Sequence, residues 1–251
     1  MRPLKFFLGL AAALALAACY GPPPVSPELA QSESLPVKKK KFILFSGERI
    51  KFGPYAVDEV RRDTAHSINR NRSRQIQVQL QESYSFRMTD TATAPWRGDC
   101  RSDAARKDRM VFLGPRQVVS HQVSLQCFLR PSDSGSVWTL DLSEGADAGG
   151  VLTGILSDGN QRIEVMGTRE LTGKSGPRDT HTAFEFNDGG HALGAVLLAS
   201  GSRVLIHPAA GDGMREPLAA AAAALLLYSD SNRKMEEIVE VTLREDRDSF
   251  L

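Results

Sequence analysis

Five arginines, Arg61, Arg62, Arg70, Arg72 and Arg74, fall within fourteen residues, with Asn69 and Asn71 between them. Guanidinium forks bind oxyanions bidentately, so one reading is an electropositive segment for the anionic head groups of lipid or lipopolysaccharide, or for nucleic acid. The other reading is a solvated, irregular loop. No aromatic residue is interleaved, which argues against a stacking platform for bases. The five histidines, His66, His121, His181, His191 and His207, include no pair three to five residues apart, so no metal-binding helix of the His-Glu-x-x-His kind exists. His121 falls in the apolar phase of a strand-like segment and reads as a core histidine with its own partner. The nucleophile turn Gly-x-Ser-x-Gly is missing, and Ser200 and Ser202 flank Gly201 as turn residues.

Two further fragments fail on spacing. Gly173-Lys174-Ser175 ends like a phosphate-binding loop, but Thr168 stands where the first glycine is needed and Gly176-Pro177 follows in place of a helix. Asp230-Ser231-Asn232 opens like a calcium loop, yet no turn glycine follows. The carboxylates Glu236-Glu237 and Asp246, Asp248 lie in a hydrophilic tail, where nothing separates acid from base. The sequence therefore offers no catalytic constellation, no metal site and no cofactor motif, and the expectation is a protein that is not an enzyme.

The chain has 251 residues, 41% of them hydrophobic and 24% charged, enough for one large all-β domain with a core of its own. Its first residues are of another kind. Met1 to Lys5 carry two positive charges, Phe6 to Ala18 is uninterruptedly apolar, and the run ends at Leu16-Ala17-Ala18-Cys19. That apolar stretch is shorter than the roughly 20 residues of a membrane-spanning helix and reads as a signal peptide over residues 1–18. Removing it takes Arg2 and Lys5 and leaves 29 basic against 30 acidic residues. Such a balance gives no support to a nucleic-acid partner.

Leu16, Ala17, Ala18 and Cys19 match the lipobox of bacterial lipoproteins, and the segment is identified as resembling that family. The resemblance implies that Cys19 becomes the mature N-terminus, carrying a thioether-linked diacylglycerol and an amide-linked acyl chain, and that the protein is anchored to a membrane of the bacterial envelope. Several acyl chains at about 0.8 kcal/mol per buried methylene make such an anchor effectively permanent. Tyr20 stands where enteric bacteria place a retention aspartate, which favours the outer membrane. In that oxidising compartment Cys100 and Cys127 form the remaining intramolecular pair, either a disulfide or two free buried thiols. A bridge closing their loop would be worth roughly 3.5 kcal/mol in the chain-entropy model.

The mature chain reads as a lipidated N-terminus and extended linker over residues 19–37, then a single β-rich domain over 38–251. Lys38 to Lys41 place four positive charges beside the first strand candidate, near Phe42, where they could meet anionic head groups or simply edge the domain. Ile76, Val78 and Leu80 alternate with glutamines, and Tyr84, Phe86 and Met88 continue the same period of two. Val119 to Leu129 alternates likewise and carries Cys127 inward, and Trp138, Leu140 and Leu142 repeat the pattern. Turn chemistry at Ser157-Asp158-Gly159-Asn160, Asn187-Asp188-Gly189-Gly190 and Ser200-Gly201-Ser202 divides Val151–Leu156, Ile163–Val165, Phe184–Phe186, Ala192–Leu198 and Arg203–His207 into an antiparallel meander. Ala192–Leu198 is apolar on both faces and is expected to be covered on both.

Pro217 stands at a plausible first helical position, and six alanines and four leucines follow before Tyr228. A helix over about 217–228, apolar all round and too short to span a bilayer, must be enclosed by protein. The fold expected is all-β and mainly antiparallel, a barrel or closed sandwich with this one buried C-terminal helix. Val239, Val241 and Leu243 suggest a last strand. This order of elements, with Phe184-Glu185-Phe186-Asn187-Asp188-Gly189-Gly190 leading to Ala219–Leu227, resembles the tubby and phospholipid-scramblase superfamily, whose closed antiparallel barrel surrounds such a helix. The resemblance covers roughly Phe42 to Tyr228. The strand-like tail departs from that family, and its phosphoinositide binding does not carry over, since fold does not fix function and no matching basic pocket can be named. The functional expectation is an envelope lipoprotein with an interaction or scaffolding role, its partner an envelope protein or lipid; the alternative is a module that binds lipid or another envelope amphiphile.

Overall fold

The structure is a computed structural model that describes residues 22–41, 48–71, 75–91, 93–109, 117–133, 135–144, 151–172, 180–199, 201–228, 234 and 237–241. Cys19, Phe42, Arg72, Arg74, Ser200, Leu243 and the fragments Gly173-Lys174-Ser175 and Asp230-Ser231-Asn232 lie outside these residues, as do Glu236, Asp246 and Asp248.

Twelve antiparallel strands form a closed barrel. They are β1 (Glu33–Lys41), β2 (Glu48–Phe52), β3 (Tyr55–Asn71), β4 (Gln75–Thr89), β5 (Trp96–Arg109), β6 (Gln117–Pro131), β7 (Trp138–Glu144), β8 (Leu152–Ser157), β9 (Arg162–Thr168), β10 (Ala183–Asp188), β11 (His191–Leu197) and β12 (Arg203–Ile206). Each strand pairs with its sequence neighbours, and β1 closes the ring on β12. Closure removes the sheet edges within the ring itself, which an open sheet would expose to association. The five-strand meander expected from the turn chemistry is found as β8 to β12, with Gly159, Gly189, Gly190 and Gly201 at positive φ.

The period-two pattern decides which side chains face the interior. Along β4, Ile76, Val78, Leu80, Glu82, Tyr84, Phe86 and Met88 are all buried while their neighbours face out. A helix, α1 (Gly211–Leu227), runs through this interior, and Pro217 to Leu227 are buried without exception. It begins six residues earlier than expected, so Pro217 stands inside the helix, not at its start. Such a proline leaves the carbonyl four residues earlier without its N–H partner. Tertiary contacts hold the extra turn: the Trp96 indole donates to Glu216 at 3.2 Å, and Arg215 pairs with Glu33 at 2.5 Å.

Two boundaries also differ from the reading of the sequence. The segment read as linker over 19–37 is folded from Pro22: a 3₁₀ turn at Pro27–Gln31 lies on the outside of β10 and β11, and β1 starts at Glu33. Leu29 packs there on Ala183, Ala192, Ala195 and Leu197, while Ser26 binds the Glu185 carboxylate and Glu28 accepts from the Ala192 N–H. This is the outer cover that the doubly apolar β11 requires. In the tail, Val239 and Val241 lie in a helical segment, not in a strand. Ile238 and Val239 both pack toward the core, which adjacent residues of a strand cannot do.

Four strands outrun the ring. β2 pairs with β3 from Phe52↔Tyr55 to Ile50↔Val57, yet β3 continues to Asn71, and β7 leaves β6 at Ser124↔Ser143 although β6 begins at Gln117. β3 to β6 therefore project beyond the barrel as a ribbon, at the end where α1 terminates.

Candidate functional site

A network of charged and hydroxyl side chains gathers around the C-terminus of α1. Its last carbonyls carry the negative end of the helix dipole, and beyond Ala224 O, which accepts the Tyr228 N–H at 2.9 Å, they look for partners outside the helix. Lys39 on β1 donates to Leu226 O at 2.9 Å, Arg62 on β3 donates to Leu227 O at 2.7 Å, and the Tyr84 hydroxyl on β4 donates to Ala224 O at 2.9 Å. Arg62 is turned inward by a bulge. Between Asp58 and Arg61 the register with β4 slips by one residue, with Glu59 at φ 52°, and the inward phase passes from Tyr55 and Val57 to Val60 and Arg62. Arg62 thereby stands opposite Tyr84, its guanidinium 5.4 Å from the ring centre.

The acid of this cluster is Glu82, only 2% exposed. Arg62 reaches one of its oxygens at 3.0 Å and Lys234, from the tail, reaches the other at 2.7 Å; Arg62 also binds Glu48 at 3.1 Å. Burial pushes the Tyr84 phenol well above its ordinary range, against a smaller opposing pull from Arg62. With both carboxylate oxygens and three helix carbonyls taken by cations or hydroxyl, the cluster is built to hold the helix end. It presents no base aimed at open space.

The predicted site residues do not converge. Cys100 and Cys127 are direct cross-strand partners on β5 and β6, on the inner face, with Cα atoms 4.0 Å apart and sulfurs at disulfide distance. The described part of the arginine segment, Arg61, Arg62 and Arg70, lies on a strand and not in an irregular loop: Arg61 and Arg62 face opposite sides of β3, and Arg70 follows about 30 Å beyond Arg61 along the same strand at 3.3 Å per residue. His121 Nδ1 lies 2.7 Å from Glu144, so that histidine has its partner. His181 accepts the Leu152 N–H at 3.0 Å and stacks on Phe184. No group of three metal-ligating side chains is found among the described residues.

Glu82, Tyr84 and Lys234 were not read as site residues from the sequence, and Lys39 was read only as part of the basic run Lys38 to Lys41. One signal was present: Glu82 is the charged residue in the otherwise apolar phase of β4. The outer face of β3 to β7 also carries a feature that the pattern alone does not give, an open groove of about 680 Å³ lined by Gln79, Gln81, Arg101, Asp103, Gln122 and Ser124 among others. Several of its groups satisfy one another, Gln81 and Arg101 both binding Asp103. Next to it a second groove of about 570 Å³ brings Arg61 and Asp99 to the exposed ring of Phe128. No protein-family model matches the chain, and comparison with curated proteins and with solved structures finds no match either.

Proposed function

We propose that this protein is a lipid-anchored component of the bacterial envelope, acylated at Cys19 and favoured for the outer membrane, whose barrel serves a non-catalytic interaction or scaffolding role. The observation that carries the reading is the enclosed helix. Side chains from Pro217 to Leu227 occupy the barrel axis, where a lipid carrier would keep its cavity, so the protein offers surface to its partners. The tubby and scramblase likeness remains a proposal about fold alone and brings no activity with it. For the anchor, cells are fed a clickable fatty acid: the wild type is expected to take the label and Cys19→Ser to lose it. Label persisting on the variant would refute acylation at that residue.

A second reading, binding of an envelope amphiphile, is favoured by the outer groove beside Gln79, Arg101 and Gln122. Native mass spectrometry of the detergent-extracted protein, followed by lipid extraction, separates the two. A stoichiometric amphiphile would put binding first, and a bare protein mass would leave the interaction role.

A further inference from the structure

The outer face of β12, β1 and β2 is charged in one sense. On β1 the even-numbered residues face out, and the register sets Lys38 directly opposite Lys51 and Lys40 directly opposite Arg49. Arg203 on β12, partner of Pro36, extends the same face, and all five cations are exposed. Like charges directly opposite one another on a sheet repel. Among the described residues the nearby acids form no ion pair with them: Glu48 is turned inside and held by Arg62, and Asp58 Oδ1 has no hydrogen-bond partner. None of the five cations takes part in an ion pair among the described residues. A surface that keeps two like-charged cross-strand pairs without acidic partners is complementary to an extended anionic layer, which gathers all five charges at once.

The course of the N-terminal segment says which anionic layer lies within reach. Pro22 O accepts from the Thr172 N–H, just past the end of β9. From there one row of register partners crosses the sheet, Thr168, Ala183, Leu197, Arg203 and Pro36, and Lys38 and Lys40 follow immediately beyond it on β1. Cys19 precedes Pro22 by three residues, which span at most about 10 Å. An acyl group at Cys19 would therefore be held at the same end of the barrel as the basic face, four strands or roughly 20 Å around the wall.

We propose that the outer face of β12, β1 and β2, through Lys38, Lys40, Arg49, Lys51 and Arg203, lies against the anionic head groups of the membrane that carries the anchor, fixing the orientation of the barrel. This rests on acylation at Cys19. The test reconstitutes the full acylated protein into vesicles of phosphatidylcholine, with or without phosphatidylglycerol, and maps lysine modification by an amine-reactive reagent. Lys38, Lys40 and Lys51 are expected to be several-fold less modified on the anionic vesicles, with Lys107 on β5 unchanged as internal reference. The protection is expected to vanish at about 0.5 M salt, where the screening length falls to a few ångströms. A Lys38→Glu/Lys40→Glu variant is expected to lose it at Lys51.

Equal modification of the three lysines on both kinds of vesicle overturns the proposal. Protection in native membranes but on neither vesicle overturns it too, by assigning the face to a protein partner. If the protein does not join neutral vesicles at all, the acyl anchor fails on its own account. Protection on anionic vesicles would then still uphold the basic face, and its absence would overturn that as well.

Discussion

Glu82 shows how much one buried charge decides. Its two oxygens are shared between Arg62 and Lys234, so removing the charge strands two cations beside the end of α1. Breaking a buried pair from one side costs about 3–5 kcal/mol, somewhat less here because Arg62 and Lys234 each keep roughly a third of their side chain in water. Glu82→Gln is expected to lower stability by about 2–4 kcal/mol in urea unfolding; a loss below about 1 kcal/mol would mean that water screens the cluster. Tyr84 adds a pH dependence. Its folded-state pKa is raised above the unfolded value near 10, so the native state keeps a proton that the unfolded chain loses, and stability present below about pH 10 falls as the pH rises further. The urea midpoint of the wild type should drop above that pH, and that of Tyr84→Phe should drop less, Tyr55 keeping a share because burial raises it too. Equal slopes would show that the phenol ionises freely.

At the scale of the element, α1 is set apart by what surrounds it. An isolated helix of 17 residues that carries a proline in its interior, as α1 does, is marginal. Its stability comes from enclosure, and the six alanines from Ala219 to Ala224 are the slim surface that the enclosure admits. Ala222→Leu forces extra methylenes into packed space and is expected to cost about 1–3 kcal/mol, while Leu225→Ala empties the site and is expected to cost about 2–5 kcal/mol. A helix free in solvent would stay close to neutral with the leucine, whose helix propensity is nearly that of alanine. Thermal unfolding followed by circular dichroism distinguishes these outcomes. The element was visible in the sequence because its residues are apolar all round, and its first turns were not, because Gly211 to Gly213 are exposed and Gly211, Asp212, Gly213, Arg215 and Glu216 break the apolar run. The tail was misread for a related reason: Val239, Val241 and Leu243 fit a period of two, whereas the helical set of Ile238 and Val239 shows only once a core is present to receive both.

At the scale of the whole molecule, β5 and β6 are clamped by the cysteine pair in the half of the barrel that carries the projecting ribbon. Reduction, or Cys100→Ala/Cys127→Ala, is expected to lower stability by roughly 3.5 kcal/mol on the chain-entropy scale. Mass measurement after alkylation without reductant checks the starting state, and two modified thiols would exclude the bridge. The sequence by itself determined the class of fold: alternation along β4, β6 and β7, glycines at hairpin turns between β8 and β12, and one segment too apolar to face water. These are local properties, because the period of a pattern and the φ a turn requires do not depend on distant residues. Only the tertiary structure decided what covers what. That Pro22 to Gln31 seats on β11, that Lys234 crosses to Glu82, and that Lys38 faces Lys51 across a hairpin all depend on register and on closure of the ring. A charge or a leucine is the same symbol on either face of a strand, and its meaning is fixed by the neighbour that folding places opposite it.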